Sequence, residues 1–239
     1  MEIRLTFKAS VLNVCLKMTE ELDEGQGTRE RILSAAEALF AERGFDTVSL
    51  RDITGAADAN VAAVNYHFGS KDKLIDAVIE RHATPINIRR LSLLDECEAR
   101  HSGAPVPVKE ILEAFLAPVL THFTSGEMSE DLFCKFMGRL MGERGYSLPA
   151  SVRPLFVRMA GRFTAALRKS VPTLSERLAL WRMHFSFGVM SNTLTHGETL
   201  RQLSGGRAGK PPMEVLFRQI IDFCAAGFQT EPSEVDDEE

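Results

Sequence analysis

"NVAAVNYHFGSKDKL", Asn60 to Leu74, decides the fold. Before Lys71 it holds no Asp, Glu, Lys or Arg. Val64 and Phe68 stand one helical turn apart and mark an inward edge, while Ala62, Ala63, Asn65 and Tyr66 fall outward. Asn60 is placed to cap this helix, Phe68-Gly69 to end it, and Ser70 to cap the next, "KDKLIDAVIERH". Small side chains let a backbone approach base edges, and Asn pairs with adenine through two hydrogen bonds. Tyr66, His67 and Lys71 are suitable donors to phosphate. The same pattern also suits a plain three-helix packing unit with a small-residue contact face.

Upstream, "TRERILSAAEALFAERGF" predicts a longer helix, with Thr28 as N-cap and Gly44 as stop. Ile32, Leu33, Ala36, Leu39 and Phe40 make its apolar stripe. A short "DTV" link leads to "SLRDITGAA", where Ser49 caps and Asp52, three residues on, closes a capping box. Asp58 occupies a tight turn where Gly would be easier, although Asp tolerates left-handed geometry. Two short helices joined this way form a helix-turn-helix, whose second helix enters a major groove. Charge argues the other way: Thr28 to Glu80 holds six Lys and Arg against nine Asp and Glu. That is not the basic footprint usual for duplex binding. Arg51 and Lys71 flank the proposed recognition helix, so only their placement decides.

The whole chain has 239 residues and a formal net charge of -5. The last nine residues, "EPSEVDDEE", carry six acids, and removing them brings the charge to +1. They predict a solvated acidic tail over 231–239. Four scattered cysteines, none in a C-x-x-C pair, predict reduced thiols of a cytoplasmic protein rather than disulfides or a zinc site. No apolar run reaches membrane-spanning length, so no membrane partner is expected. Residues 1–27 are only weakly signal-like; they are a disordered arm, or the true start is Met18. Beyond the head, helical patterns cover Val108–Phe123, Ser129–Glu143, Ala150–Lys169, Ser175–Leu200 and Pro212–Phe228, with Pro85 kinking or breaking the helix after His82. The fold class is therefore all-α, with a second helical domain behind the three-helix head.

The stretch from Thr28 to about Ala83 resembles the DNA-binding domain of TetR-family transcriptional regulators. The matching residues are "ILSAAEALFAERGFDTVSLRDI" and "NVAAVNYHFGSKDKLIDAV". They share the Gly-Phe turn, the Ser-x-Arg step, the Tyr-His-Phe triplet and the Ser-Lys helix start. The resemblance implies that Ser49 and Arg51 lie near phosphate and that Asn60, Ala62, Ala63 and Asn65 line the groove. Tyr66, His67 and Lys71 then anchor the backbone. Two departures stand out. Asp58-Ala59 replaces the common Gly-Val turn, and Asn65 sits where many members place Tyr. The implied organisation is a DNA-binding domain over 28–83 and a ligand-binding and dimerisation domain over 84–230.

In TetR-like proteins the last two long helices pair with their symmetry mates. Here these are "LALWRMHFSFGVMSNTL" and "MEVLFRQIIDFCAAGF", with Gly188, Ser191 and Ala225 allowing close approach. A helix apolar on nearly every side must be buried all round. "FCKFMGRLMGERG" and "LWRMHF" further resemble the PsrA-like, fatty-acid-responsive branch. Phe136, Met137, Leu140, Met141, Met159, Phe163 and Phe185 fall on inward stripes, which suit either an adaptable cavity or ordinary core. Trp181 and His184 are candidates for polar contacts there, though a lone His more often sits satisfied in a core, and Arg139 or Arg158 is either a carboxylate partner or a surface arginine. No catalytic motif, dinucleotide fingerprint or metal-ligand spacing occurs, so neither an enzyme, a cofactor nor a metal is expected. The expected function is a ligand-released repressor: a homodimer on a palindromic duplex operator, with a small amphipathic effector such as a fatty acid or acyl thioester. The alternatives are a small all-α carrier or enzyme without a DNA role, and an adaptor whose head docks protein.

Overall fold

A computed structural model of the protein describes residues 27–124, 132, 134–136, 138, 139 and 148–231. Every regular element among them is helical. They are α1 (27–43), α2 (Leu50–Ala56), α3 (Val61–His67), α4 (Lys71–Arg100), α5 (Val108–Thr124), α6 (Arg153–Ser170), α7 (Glu176–Leu203) and α8 (Met213–Gln229). The described part of 132–139 is helical too, within the predicted Ser129–Glu143 helix. The N-terminal arm, nearly all of the acidic tail, and Met137, Leu140 and Met141 lie outside the described residues. The chain divides into two compact units, up to Ile79 and from Glu80 onward.

In the first unit, Ile32, Leu33, Ala36 and Phe40 of α1 are buried, as are Ile53, Val64, Leu74 and Val78. Each of these larger side chains contributes about 1.5–3 kcal/mol on leaving water, and the Ala36 methyl about 0.8 kcal/mol. α1 stops at Gly44, whose φ of 86° continues no helix and whose N–H donates to the Phe40 carbonyl at 2.9 Å. Thr28 is not the N-cap. Residue 27 is already helical, and the Thr28 hydroxyl instead accepts from the Arg31 guanidinium at 3.2 Å.

α4 does not break at Pro85; it runs unbroken to Arg100. Pro85 is exposed and withholds one N–H from the carbonyl a turn back. Beyond it Ile86, Asn87, Arg90, Leu91 and Leu94 are all buried, and that burial holds the helix through the proline. The second unit packs Leu94, Ile111, Leu112, Leu116, Phe163, Leu167, Met190 and Phe228 into one core. Arg162 bridges Asp95 and Glu98, tying α6 to α4. Arg182 donates to the Phe228 and Thr230 carbonyls at 3.0 and 2.9 Å, so a cation closes the C-terminal end of α8. α6 starts at Arg153, three residues later than predicted, with Pro154 in its first turn.

Candidate functional site

The head is built by local chemistry. The Ser49 hydroxyl accepts from the Asp52 N–H at 3.2 Å, and the Asp52 carboxylate accepts from the Ser49 N–H at 2.8 Å. This reciprocal cap fixes the start of α2 and holds the Asp52 carboxyl below its usual range, chiefly through the Ser49 hydroxyl. Asp58 makes the turn with a φ of 47°, which only Gly, Asn and Asp adopt readily. The Asn60 Oδ1 then accepts from the Ala63 N–H at 2.8 Å and starts α3. Gly69, at φ 83°, ends it, and the Ser70 hydroxyl caps α4 through the Lys73 N–H at 3.2 Å.

These caps leave α3 anchored by one fully buried side chain, Val64. Asn60, Ala62 and Asn65 are exposed, Ala63 and His67 half-buried, and Tyr66 is 85% exposed. No acid lies in α3. The Tyr66 and His67 rings meet edge to face at 5.0 Å, which orients both outward groups. Arg51 is exposed on α2, and the Lys71 ammonium lies 3.4 Å from the Asp46 carbonyl, beside the end of α3. An uncharged, small and amidic helix face flanked by two cations can lie close to a polyanion and form hydrogen bonds with base edges. Ser49 and the Asn60 carbonyl oxygen are committed to caps, so their share in any DNA contact falls to the Asn60 amide and to backbone groups.

The C-terminal residues chosen from sequence separate into two sets. Phe136, Met159 and Phe163 are buried, and Phe136 packs against His82 with ring centroids 5.8 Å apart. Trp181, His184 and Phe185 are not in the interior. They lie on the outer face of α7, where Trp181 is 53% and Phe185 56% exposed, with their rings stacked at 5.8 Å. Trp181 and His184, with Leu180, line an open groove of ≈ 530 Å³. The expectation that α7 is buried all round therefore does not hold within one chain. Helical period explains the error: it finds the apolar faces but not what covers them. Gly188 lies farther along the same face, and a Cβ added there meets no described atom outside its own stretch of helix within 4 Å. Phe223 of α8 is 69% exposed. Ala225 is buried in the chain's own core, and Ser191 is half-buried beside an inner crevice. Arg139 is exposed and Arg158 lies on the exposed side of α6.

Two known sequence patterns match this chain. "Bacterial regulatory proteins, tetR family" matches residues 32–78, and "Tetracyclin repressor-like, C-terminal domain" matches residues 113–227. The chain belongs to the TetR family. The HTH-type transcriptional regulator AcrR of Shigella flexneri is 33% identical over 120 residues, 49% of this chain and 54% of that protein. An HTH-type transcriptional repressor of Mycobacterium tuberculosis is 38% identical over 79 residues, 33% of this chain and 37% of its own length. The chain thus spans about half, or less, of the curated relatives it matches. Among solved structures, HlyIIR, a hemolysin II transcriptional regulator, aligns with a TM-score of 0.54 at 16% identity, over 87% of this chain and 99% of that one. This likeness is one of fold.

TetR-family members are regulators rather than enzymes. No helix among the described residues is long and apolar enough to cross a membrane. The second TetR-type unit also holds polar residues that the sequence did not single out. His82 Nδ1 and His122 Nε2 lie 2.9 Å apart, both buried. Two turns along α4, Arg90 reaches the Phe115 carbonyl and the Asn87 side chain. Period alone could have found them, since His82, Ile86 and Arg90 share one face, but the expected break at Pro85 hid that face.

Proposed function

We propose that this TetR-family chain is a sequence-specific, DNA-binding transcriptional regulator acting as a homodimer. The observation that carries the reading is α3: a capped helix with an exposed, acid-free face between Arg51 and Lys71. α3 enters the major groove, where Asn65 reads a base and Tyr66, His67 and Lys71 hold phosphates. Two copies bind a palindromic operator through half-sites about 34–36 Å, or a multiple of that, apart. The protein represses, and a small amphipathic ligand of the second unit releases it by favouring a state whose recognition helices no longer fit both half-sites. A fatty acid or its acyl thioester is the proposed effector class. The PsrA-like resemblance and the Phe and Met content around Phe136, Met159 and Phe163 support it.

Retardation of a fragment from its own promoter tests the DNA reading. The expected result is a shifted duplex that resists random competitor and weakens steeply with salt. Absence of salt-dependent duplex binding overturns it in favour of a carrier or a protein-docking adaptor.

A further inference from the structure

The unit from Glu80 onward buries a cation that has no counter-ion among the described residues. Arg90 is 3% exposed. Its Nε donates to the Phe115 carbonyl at 2.7 Å and its Nη1 to Asn87 Oδ1 at 3.1 Å. The guanidinium lies over the Phe115 ring at 4.5 Å and 6.0 Å from the Phe187 ring centroid. Its Nη2 has no hydrogen-bond partner among the described residues, and no carboxylate pairs with the group there. Burial alone pushes the guanidinium down to about 9.

Such a group is costly. Buried polar atoms are almost always satisfied, and an apolar side chain of similar volume generally fits such a site as well or better. The bonds to Phe115 and Asn87 account for Nε and Nη1, but nothing among the described residues accounts for Nη2. Phe187, one of the two rings beside it, also lines an inner crevice with Val119, Met190 and Leu194. The crevice measures ≈ 10 Å³, room for about one water. An unmet cationic donor thus stands one aromatic ring away from an apolar space walled partly by an adaptable methionine.

We propose that Arg90 anchors the head of the effector, and that the head is a free monocarboxylate. Its oxygens take Nη2, and its apolar body opens the crevice by displacing Phe187 and Met190. One buried cation is balanced by one negative charge; a dianionic phosphate would leave a second charge unmet in apolar surroundings. The inference rests on the ligand-responsive reading above and narrows its effector from acyl thioester to free acid.

The test titrates the full-length protein with butanoate, dodecanoate, phenylacetate and methyl dodecanoate, by calorimetry and thermal shift. Wild type, Arg90→Met and Arg90→Lys are compared. At least one of the acids binds wild type and raises its Tm, while methyl dodecanoate binds tenfold or more weakly, at about the strength of a lost charge-assisted bond. Arg90→Met weakens the acid about ten- to a hundredfold. Arg90→Lys, which keeps the charge but not the planar fork, falls between, and it carries the test if Arg90→Met does not fold. A purely structural arginine would instead lose stability in the variant and leave acid affinity unchanged. Equal binding of dodecanoate and its ester, equal acid affinity in wild type and variants, or no binding of any of the three acids overturns the inference. Promoter retardation runs in parallel. Protein that shifts its promoter but binds no acid refutes this inference alone; protein that binds acid through Arg90 but shifts no duplex refutes the regulator reading alone.

Discussion

Ser49 shows how much of the head rests on single side chains. Its hydroxyl satisfies the Asp52 N–H at the start of a helix only seven residues long. Ser49→Ala should cost about 0.5–2 kcal/mol, read as a lower denaturant midpoint. The partner carboxylate adds a pH signature. The folded Asp52 pKa is depressed, so its contribution is fully present above the ordinary Asp range near 3.9 and fades as pH falls through the lower folded value. Asp52→Asn should lose that acid-side dependence, and an unchanged acid limb in the variant would contradict it. On the outward side, chemistry separates two roles. Asn65→Ala should lose about 1–3 kcal/mol on its operator and nothing on random duplex. Lys71→Ala should weaken both alike and lower the salt slope by about one. Retardation on specific and scrambled duplexes at several salt concentrations distinguishes them; equal loss from Asn65→Ala on both removes it as a reader.

At the scale of elements, what was legible in the sequence was what is decided locally. The Ser49, Asn60 and Ser70 caps, the left-handed Asp58 and the Gly44 and Gly69 stops each depend on neighbours within a few residues, and each stands where the pattern put it. Apart from the Thr28 cap, what failed depends on distant packing. Pro85 is a helix breaker by local rule, yet α4 continues because Ile86, Arg90 and Leu94 beyond it are buried. Trp181, His184 and Phe185 read as pocket residues in the sequence because period cannot tell an inner face from an outer one. Arg90 escapes the sequence reading because the expected break at Pro85 hides the face it shares with His82 and Ile86. The proline supplies a direct check. Its ring is exposed, so Pro85→Ala removes no core contact and restores one backbone hydrogen bond. It should stabilise the protein by up to about 3 kcal/mol, seen as a raised Tm. A lowered Tm would mean that the proline is tolerated for a reason other than the burial around it.

For the whole molecule, the outer face of α7 and α8 asks what covers it. Leu180, Trp181 and Phe185 leave a run of large apolar side chains exposed along α7, and Val215 and Phe223 are exposed on α8. Surfaces of this kind mark association sites. Gly188 turns that argument into a sharp test. A Cβ added there meets no described atom outside its own stretch of helix within 4 Å, and the backbone is helical, so Gly188→Leu starts into open space and exchanges a poor helix former for a good one. A monomer should therefore fold as well with leucine as with glycine, or better. A dimer that brings two α7 helices together at Gly188 has no room for two added leucines, because overfilled contacts cost about 1–3 kcal/mol and a two-fold interface meets each one twice. The variant should keep its helical content by circular dichroism while light scattering reports dissociation, and operator affinity should fall with it, since one recognition helix cannot hold two half-sites. If leucine leaves the dimer and its operator affinity untouched, the helices approach elsewhere along this face. A wild-type protein that scatters as a monomer at micromolar concentration would remove the two-fold reading altogether.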